Sequence, residues 1–427
     1  MSDQHSALDD LNPQQRAAVV HEGSPLLIVA GAGSGKTRVL TRRIAYLLSD
    51  RNVSPQEVLA ITFTNKAAGE MKERVLDLVG NKAKLMQVST FHSACVRFLR
   101  SDAQKLGRSS TFSIYDSQDS LRLITMIAAG LEINSKVLSP RSLASQISSL
   151  KSELIDHESY SRRVETEQER LVAQVYSEYD QRLARANAFD FDDLIGATVA
   201  LLQLFPDVKQ KFRKRFKHIL VDEYQDTNHA QYILIKELVG SSKDGMPAAE
   251  LCVVGDADQS IYAFRGATLR NIEEFERDFP NAKTILLEQN YRSTQNILSA
   301  ANAVISQNAE RREKKLWTDQ GQGEPIVGYV ADNEHDEASF VALEIEKLRE
   351  EFEYKYGQIS VFYRTNNQSR AFEEVFIRIG IPYRVVGGLK FYERKEVKDV
   401  LAYLRAVIKD RKSTRLNSSH IPLSRMP

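Results

Sequence analysis

The octapeptide AGAGSGKT, residues 30–37, constrains this chain more than any other stretch because of what flanks it. Before it stands an apolar run, SPLLIV, of strand length; after it, RVLTRRIAYLL repeats its apolar residues at helical spacing. Strand, glycine-rich turn and helix in that order make a phosphate cradle, in which backbone N–H groups at the helix start face the anion. The pattern GxxxxGK[ST] begins here with Ala30, and Gly31, Ala32, Gly33, Ser34 and Gly35 form the turn. Gly33 and Gly35 permit the close backbone approach, Lys36 supplies a point charge to the β- and γ-phosphates, and Thr37 supplies a hydroxyl to Mg²⁺. A turn that merely joins strand to helix is the bland alternative, and the matching flanks argue against it.

A nucleotide cradle needs an acidic partner at the end of another strand. FKHILVDEYQD offers one: Asp222 to hold the Mg²⁺ shell and Glu223 to orient or deprotonate an attacking water. Two carboxylates after an apolar run also fit a solvated turn, and only the upstream cradle favours the site. Cradle and carboxylates together leave kinases, transporter ATPases, GTPases and helicases open.

The rest of the chain repeats the strand and helix grammar of a parallel sheet. VLAITFT reads as a strand, NKAAGEMKERVLDLV as a helix and MQVST as a third strand. Residues 105–189 change to long polar helical stretches and read as a helical insertion. HILVDEYQD, LCVVGDADQS and TILLEQNYRS then resume the first sheet and lead towards a second. EPIVGYV, QISVFYR and YRVVGG read as strands of that second α/β unit, and EASFVALEIEKLREEF and AFEEVFIRIG as its helices. The run VKQKFRKRFKH, residues 208–218, is the densest basic segment; Phe212 and Phe216 fall four apart, which favours an amphipathic helix over a nucleic-acid patch.

Totals exclude several classes. Lys and Arg number 58 against 57 Asp and Glu, so no global field attracts a polyanion, and any such contact must come from a local groove. Cys95 and Cys252 match no metal or redox spacing and point to a reducing, cytoplasmic setting. No run of 18 apolar residues suggests a membrane span.

Eight stretches in order resemble one family: LNPQQ (11–15), AGAGSGKT, ITFTNKAA (61–68), STFHS (89–93), DFDDL (190–194), VDEYQDTN (221–228), VGDADQSIYAFRGA (254–267) and LEQNYRS (287–293). They are similar to the superfamily 1 DNA helicases of the UvrD, PcrA and Rep type. The resemblance implies an α/β fold with two RecA-like domains. Residues 1–104 and 190–280 would form the first, 105–189 its helical insertion, and 281–386 the first part of the second. Residues 387–410 would open a second helical subdomain.

The resemblance also implies ATP and Mg²⁺ as cofactors, and single-stranded DNA and duplex junctions as partners. Gln15 matches the residue that reads the adenine edge, Tyr291 one that stacks on the base, and Arg38 a flanking residue. Gln259 matches a γ-phosphate sensor and Arg292 an arginine finger. Phe63, Tyr262 and Phe264 match base-stacking positions, and Thr64, Asn65, Thr90, His92 and Arg265 line the strand's path. Taken alone, each of these aromatics reads as core and Arg292 as a surface arginine.

The implied activity is 3′ to 5′ helicase and DNA-dependent ATPase; a non-catalytic binding module and the motor of a helicase-nuclease are the alternatives. The family pattern leads to the expectation that the chain is an N-terminal part whose second sheet is unfinished and whose hydrolysis is slow. The tail RKSTRLNSSHIPLSRMP reads as unstructured and non-native over 411–427.

Overall fold

A computed structural model of the chain describes residues 7–241, 245–260, 270–308 and 314–386, with positions 399, 400 and 403. Tyr262, Phe264 and Arg265 lie outside these described residues, as do the 411–427 tail and most of 387–410. The chain divides into two compact units, Met1–Pro325 and Ile326–Pro427.

Among the described residues of the first unit, eight short strands form: β1 (Leu26–Ala30), β2 (Val58–Thr62), β3 (Gln87–Thr90), β4 (Ser113–Ile114), β5 (Ala188–Phe189), β6 (His218–Val221), β7 (Glu250–Gly255) and β8 (Lys283–Leu287). Six of them make one parallel sheet in the order β3-β2-β6-β7-β1-β8. Successive side chains of a strand leave on opposite faces, and the core follows that rule. Leu27, Val29, Leu59, Ile61, Ile219 and Val221 enter one apolar cluster. Leu26, Ile28, Ala30, Val58, Ala60 and Leu220 enter the other. Both faces are dry along β1, β2, β6 and β7, which is why these strands read as continuous apolar runs rather than alternating ones. Each fully buried aliphatic side chain contributes about 1.5–3 kcal/mol relative to exposure.

All six strands run the same way, so their C-terminal ends share one edge. That edge is where ligands of open α/β sheets bind. Cys95 and Cys252 lie in the core as free thiols that burial pushes up to about 12 and about 11. The basic run forms the helix Pro206–Arg215, with Phe212 and Phe216 buried and Lys209 and Lys211 paired to Glu237 and Asp102.

The helical insertion leaves and returns through a two-stranded parallel pair, β4 with β5, that the sequence reading did not foresee. Between them the helices Ser117–Gly130, Pro140–Ser152, His157–Ser161 and Glu167–Arg185 enclose a separate core around Leu143, Val175 and Tyr179. Lys151 fastens this bundle to the next helix, Phe191–Leu204. Its buried ammonium bonds Asp190 at 2.9 Å and Asp193 at 2.7 Å and pairs with Asp180 at 3.3 Å.

TILLEQNYRS resumes the first sheet, since β8 pairs with β1, and the first compact unit runs to Pro325. The reason is local: Gly31 and Tyr291 donate backbone bonds to Leu287 and Gly33, so the chain after β8 stays on the first sheet. The expected strands EPIVGYV, QISVFYR and YRVVGG form no ladder among the described residues. In the second unit the helices Glu334–Phe352 and Ser369–Ile379 pack instead through Ala338, Ala342, Ile345, Phe372, Val375 and Phe376. Ile359 and Val361 lean on that cluster beside a cavity of about 990 Å³. An apolar run becomes a strand only where neighbours take up its N–H and C=O groups.

Candidate nucleotide site and nucleic-acid edge

The cradle follows β1 directly. Gly33 and Gly35 have φ of +69° and +87°, a region open to glycine at little cost. A Cβ on Gly33 would stand 2.6 Å from Asn290 Nδ2 and 2.7 Å from Arg292 Cβ, and one on Gly35 2.9 Å from Gln15 Nε2. Either substitution would therefore push a neighbour out as well as strain the turn. Gly35 caps the helix Lys36–Ser49 without a side-chain bond, which leaves the first-turn N–H groups to an anion. The residues present fit a nucleotide phosphate.

Lys36 Nζ stands between two partners, donating to Glu223 Oε2 at 2.9 Å and Gln259 Oε1 at 3.1 Å. Asp222, buried, follows β6 directly, and its Oδ1 accepts from the Glu223 N–H at 3.0 Å. Burial and the Glu223 charge push the Asp222 carboxyl up to about 6. Glu223 itself adopts φ 49°, a left-handed conformation that costs a non-glycine residue of order 1 kcal/mol and that here turns its carboxylate to Lys36. Asp222 and Thr37 offer hard oxygen donors of the kind Mg²⁺ takes.

Residues that the sequence reading did not single out tie these groups together. Gln225 Nε2 donates to Glu223 Oε2 at 2.9 Å and Asp226 Oδ2 at 3.3 Å, while its Oε1 accepts from the Asp256 N–H at 2.8 Å. Burial and Glu223 push Asp226 up to about 6. Asn290 donates to the Ala32 carbonyl at 2.6 Å and accepts from the N–H groups of Arg292 and Ser293, so it sets Arg292 beside the cradle. A polar residue buried next to a glycine loop was the available signal; spacing alone could not supply it.

Gln15 is buried beneath the cradle with both ends of its amide engaged, Nε2 on the Ser34 carbonyl at 3.0 Å and Oε1 on the Asn12 N–H. Tyr291 is partly exposed, its hydroxyl bonded to Asn12 and Gln289. Arg38 reaches the Asp10 carbonyl at 2.9 Å.

Against known families, residues 11–280 match the UvrD/REP helicase N-terminal domain and residues 285–422 the UvrD-like helicase C-terminal domain. The chain belongs to the UvrD/REP helicase family. It is 67% identical over 405 residues to the ATP-dependent DNA helicase UvrD1 of Mycobacterium bovis, covering 94% of this chain and 52% of that protein. It is 49% identical over 400 residues to the ATP-dependent DNA helicase PcrA of Bacillus subtilis, covering 94% and 53%. The Staphylococcus aureus PcrA is 51% identical over 403 residues, covering 94% and 54%. The chain thus spans about half the length of the curated relatives it matches. The second family match runs to 422, past Asp410 where the sequence reading ended the family pattern. It begins at 285, whereas the compact first unit extends to Pro325.

ITFTNKAA and STFHS lie on the opposite half of the same sheet edge, after β2 and at the end of β3. Phe63 follows β2 and is half-buried; Thr64 and Asn65 are exposed where the next helix, Asn65–Val79, begins. Thr64 Oγ1 caps that helix by accepting from the Ala67 N–H at 3.1 Å. Thr90 ends β3 and caps the helix Phe91–Asp102. His92 packs edge-on against Phe191, ring centroids 5.5 Å apart, and burial lowers its pKa. Phe191, 45% exposed, is an aromatic on this edge that the sequence reading passed over within DFDDL. Across the edge the order is therefore β3 and β2 with exposed polar and aromatic groups, then β6, β7, β1 and β8 with the buried ionic network. Among the described residues no helix is long and apolar enough to cross a membrane.

Proposed function

We propose that this chain is the motor of an ATP-dependent 3′ to 5′ DNA helicase, hydrolysing ATP with Mg²⁺ and moving on single-stranded DNA towards duplex junctions. The observation that carries the reading is Lys36 held between Glu223 and Gln259 at the mouth of the glycine cradle. Backbone N–H groups of Gly33 to Thr37 hold the phosphates, and Lys36 turns from Glu223 to the β- and γ-oxygens. That exchange frees the Glu223 carboxylate to take a proton from the attacking water. Arg292, kept beside the cradle by Asn290, stabilises charge on the transferred phosphoryl group. Mg²⁺, held by Asp222 and Thr37, would neutralise phosphate charge. Gln259 loses its bond from Lys36 in the same exchange and reports the event along β7. Tyr291 and Arg38 flank the adenine, and Gln15 reads it by giving up its bond to Ser34.

Phe63, with Thr64, Asn65, Thr90 and His92, receives the DNA strand on the β2 and β3 half of the edge. Tyr262, Phe264 and Arg265 join them on sequence grounds alone. Direction and junction preference follow from the family. A cytoplasmic setting suits the two buried free thiols.

ATP turnover with and without single-stranded DNA, together with unwinding of a duplex bearing a 3′ tail, tests the proposal. Lys36→Ala is expected to lower stimulated turnover by about 10²-fold or more. Turnover that neither single-stranded DNA nor Lys36→Ala alters would count against it.

A further inference from the structure

Lys314 belongs to none of the motifs above, yet its side chain is buried against the phosphate-sensing turn. Its ammonium pairs with Asp256 Oδ1 and, at 3.1 Å, with Asp258 Oδ2. Asp256 is itself 2% exposed, and its second oxygen accepts from Gln259 Nε2. Gln259 Oε1 in turn accepts from Lys36. The contacts form one unbroken line, Lys314 to Asp256 to Gln259 to Lys36 to Glu223.

On its backbone side Lys314 is the first residue of a short zipper. Lys315 N–H donates to Glu288 Oε1 at 2.9 Å, Trp317 N–H to the Glu288 carbonyl at 3.2 Å, and Asn290 N–H to the Trp317 carbonyl at 2.8 Å. Gln289 and Trp317 form a parallel bridge, and Leu316 packs over Gly31. Lys314 thereby joins the segment carrying Tyr291 and Arg292 to the turn carrying Gln259.

We propose that Lys314 is a positioning residue that selects ATP over ADP: it neutralises Asp256 and Asp258 so that a γ-phosphate can be accepted beside Gln259. The inference rests on the ATP-binding reading above. Without Lys314, the carboxylates of Asp256 and Asp258 lose an ammonium that offsets the added phosphate charge, and like charges in a partly dry site repel strongly. ADP lacks that phosphate and meets little of the penalty. Losing the ammonium also frees Asp256 to draw Gln259 away from Lys36.

The test is equilibrium binding of fluorescent ATPγS and fluorescent ADP to the full chain, which needs no turnover. Lys314→Ala is expected to weaken ATPγS about tenfold or more, the scale of a lost charged hydrogen bond, while ADP changes less than about threefold. Lys314→Arg should restore most of the loss. Adding Asp256→Asn to Lys314→Ala should recover part of the ATPγS binding, because the nearer of the two carboxylate charges is then gone. If Lys314→Ala does not fold, Lys314→Gln carries the same expectation. Equal losses for both nucleotides, or no loss for either, overturn the proposal, as does failure of both Lys314→Arg and Asp256→Asn to rescue. Wild-type chain that takes neither nucleotide, or Lys36→Ala that binds as wild type, overturns the ATP-binding reading and this inference with it. Wild-type binding that depends on Lys36 but ignores Lys314 overturns this inference alone.

Discussion

VLAIT, residues 58–62, and ISVFY, residues 359–363, are alike as sequences: five residues, mostly apolar, with β-branched members. In the first unit VLAIT is β2, at most 1% exposed throughout, with a parallel neighbour on each side. In the second unit ISVFY forms no ladder: Ile359 and Val361 lean on the helices while Phe362 is 92% exposed. Composition does not separate the two segments. What separates them is whether hydrogen-bonding neighbours and a second apolar layer stand alongside, so strand propensity acts as fitness for a surface rather than as a property of the run.

The comparison can be broken from the first unit's side. Phe216→Ala empties a fully buried position beneath β6 and is expected to cost about 3–5 kcal/mol in denaturant unfolding. A cost below about 1 kcal/mol would mean that this core is no better filled than the second unit. Phe63→Ala is expected to weaken single-stranded DNA by about 1–3 kcal/mol in an anisotropy titration while leaving nucleotide affinity intact. Unchanged DNA affinity would remove the division of the sheet edge into a nucleotide half and a nucleic-acid half.

A third measurement concerns the fastening between bundle and sheet. Burial, then the Asp190 charge, pushes Asp192 up to about 6. Because its ordinary value lies near 4, the folded chain holds more protons on this group than the unfolded chain between those values. The group therefore stabilises less as pH rises, and its penalty is complete above about 6. Asp192→Asn should raise the melting temperature by a few degrees at pH 8, and that gain should shrink as pH falls toward 4. A gain that is constant with pH would assign the effect to packing instead. The smallest effect belongs to the second unit: Phe362→Ala should shift stability by no more than about 0.5 kcal/mol, and a loss above about 2 kcal/mol would reveal a covering layer over this segment.

Much of the first unit was legible because its rules are local. A buried parallel strand reads as a short apolar run, a helix as a 3.6-residue period, and AGAGSGKT as the turn between them. Asp222 and Glu223 were legible for the same reason, standing at the end of such a run. Asn290, Gln225 and Lys314 were not. Each acts through partners distant in sequence, on Ala32, Asp256 and again Asp256, and a polar residue carries no mark of the loop it will meet. Gln15 shows the limit from the other direction. Its motif pointed to a ligand, whereas its burial and its bonds to Ser34 and Asn12 first make it a support for the cradle. The three expected strands of the second unit misled because alternation announces a surface that can be covered and says nothing about what covers it.

The two-rung pair of β4 with β5 has a further consequence. The chain departs for the helical bundle at Ser113–Ile114 and comes home at Ala188–Phe189, side by side. Seen from the sheet, some seventy residues of bundle are a graft on one stalk, pinned a second time by Lys151. Helices beyond the stalk and that pin could be lengthened, shortened or exchanged without re-threading a single strand of the sheet. The motor and its attachment are thus free to vary at different rates, and a lineage could refit the bundle to a new task while the edge that holds nucleotide stays as it is.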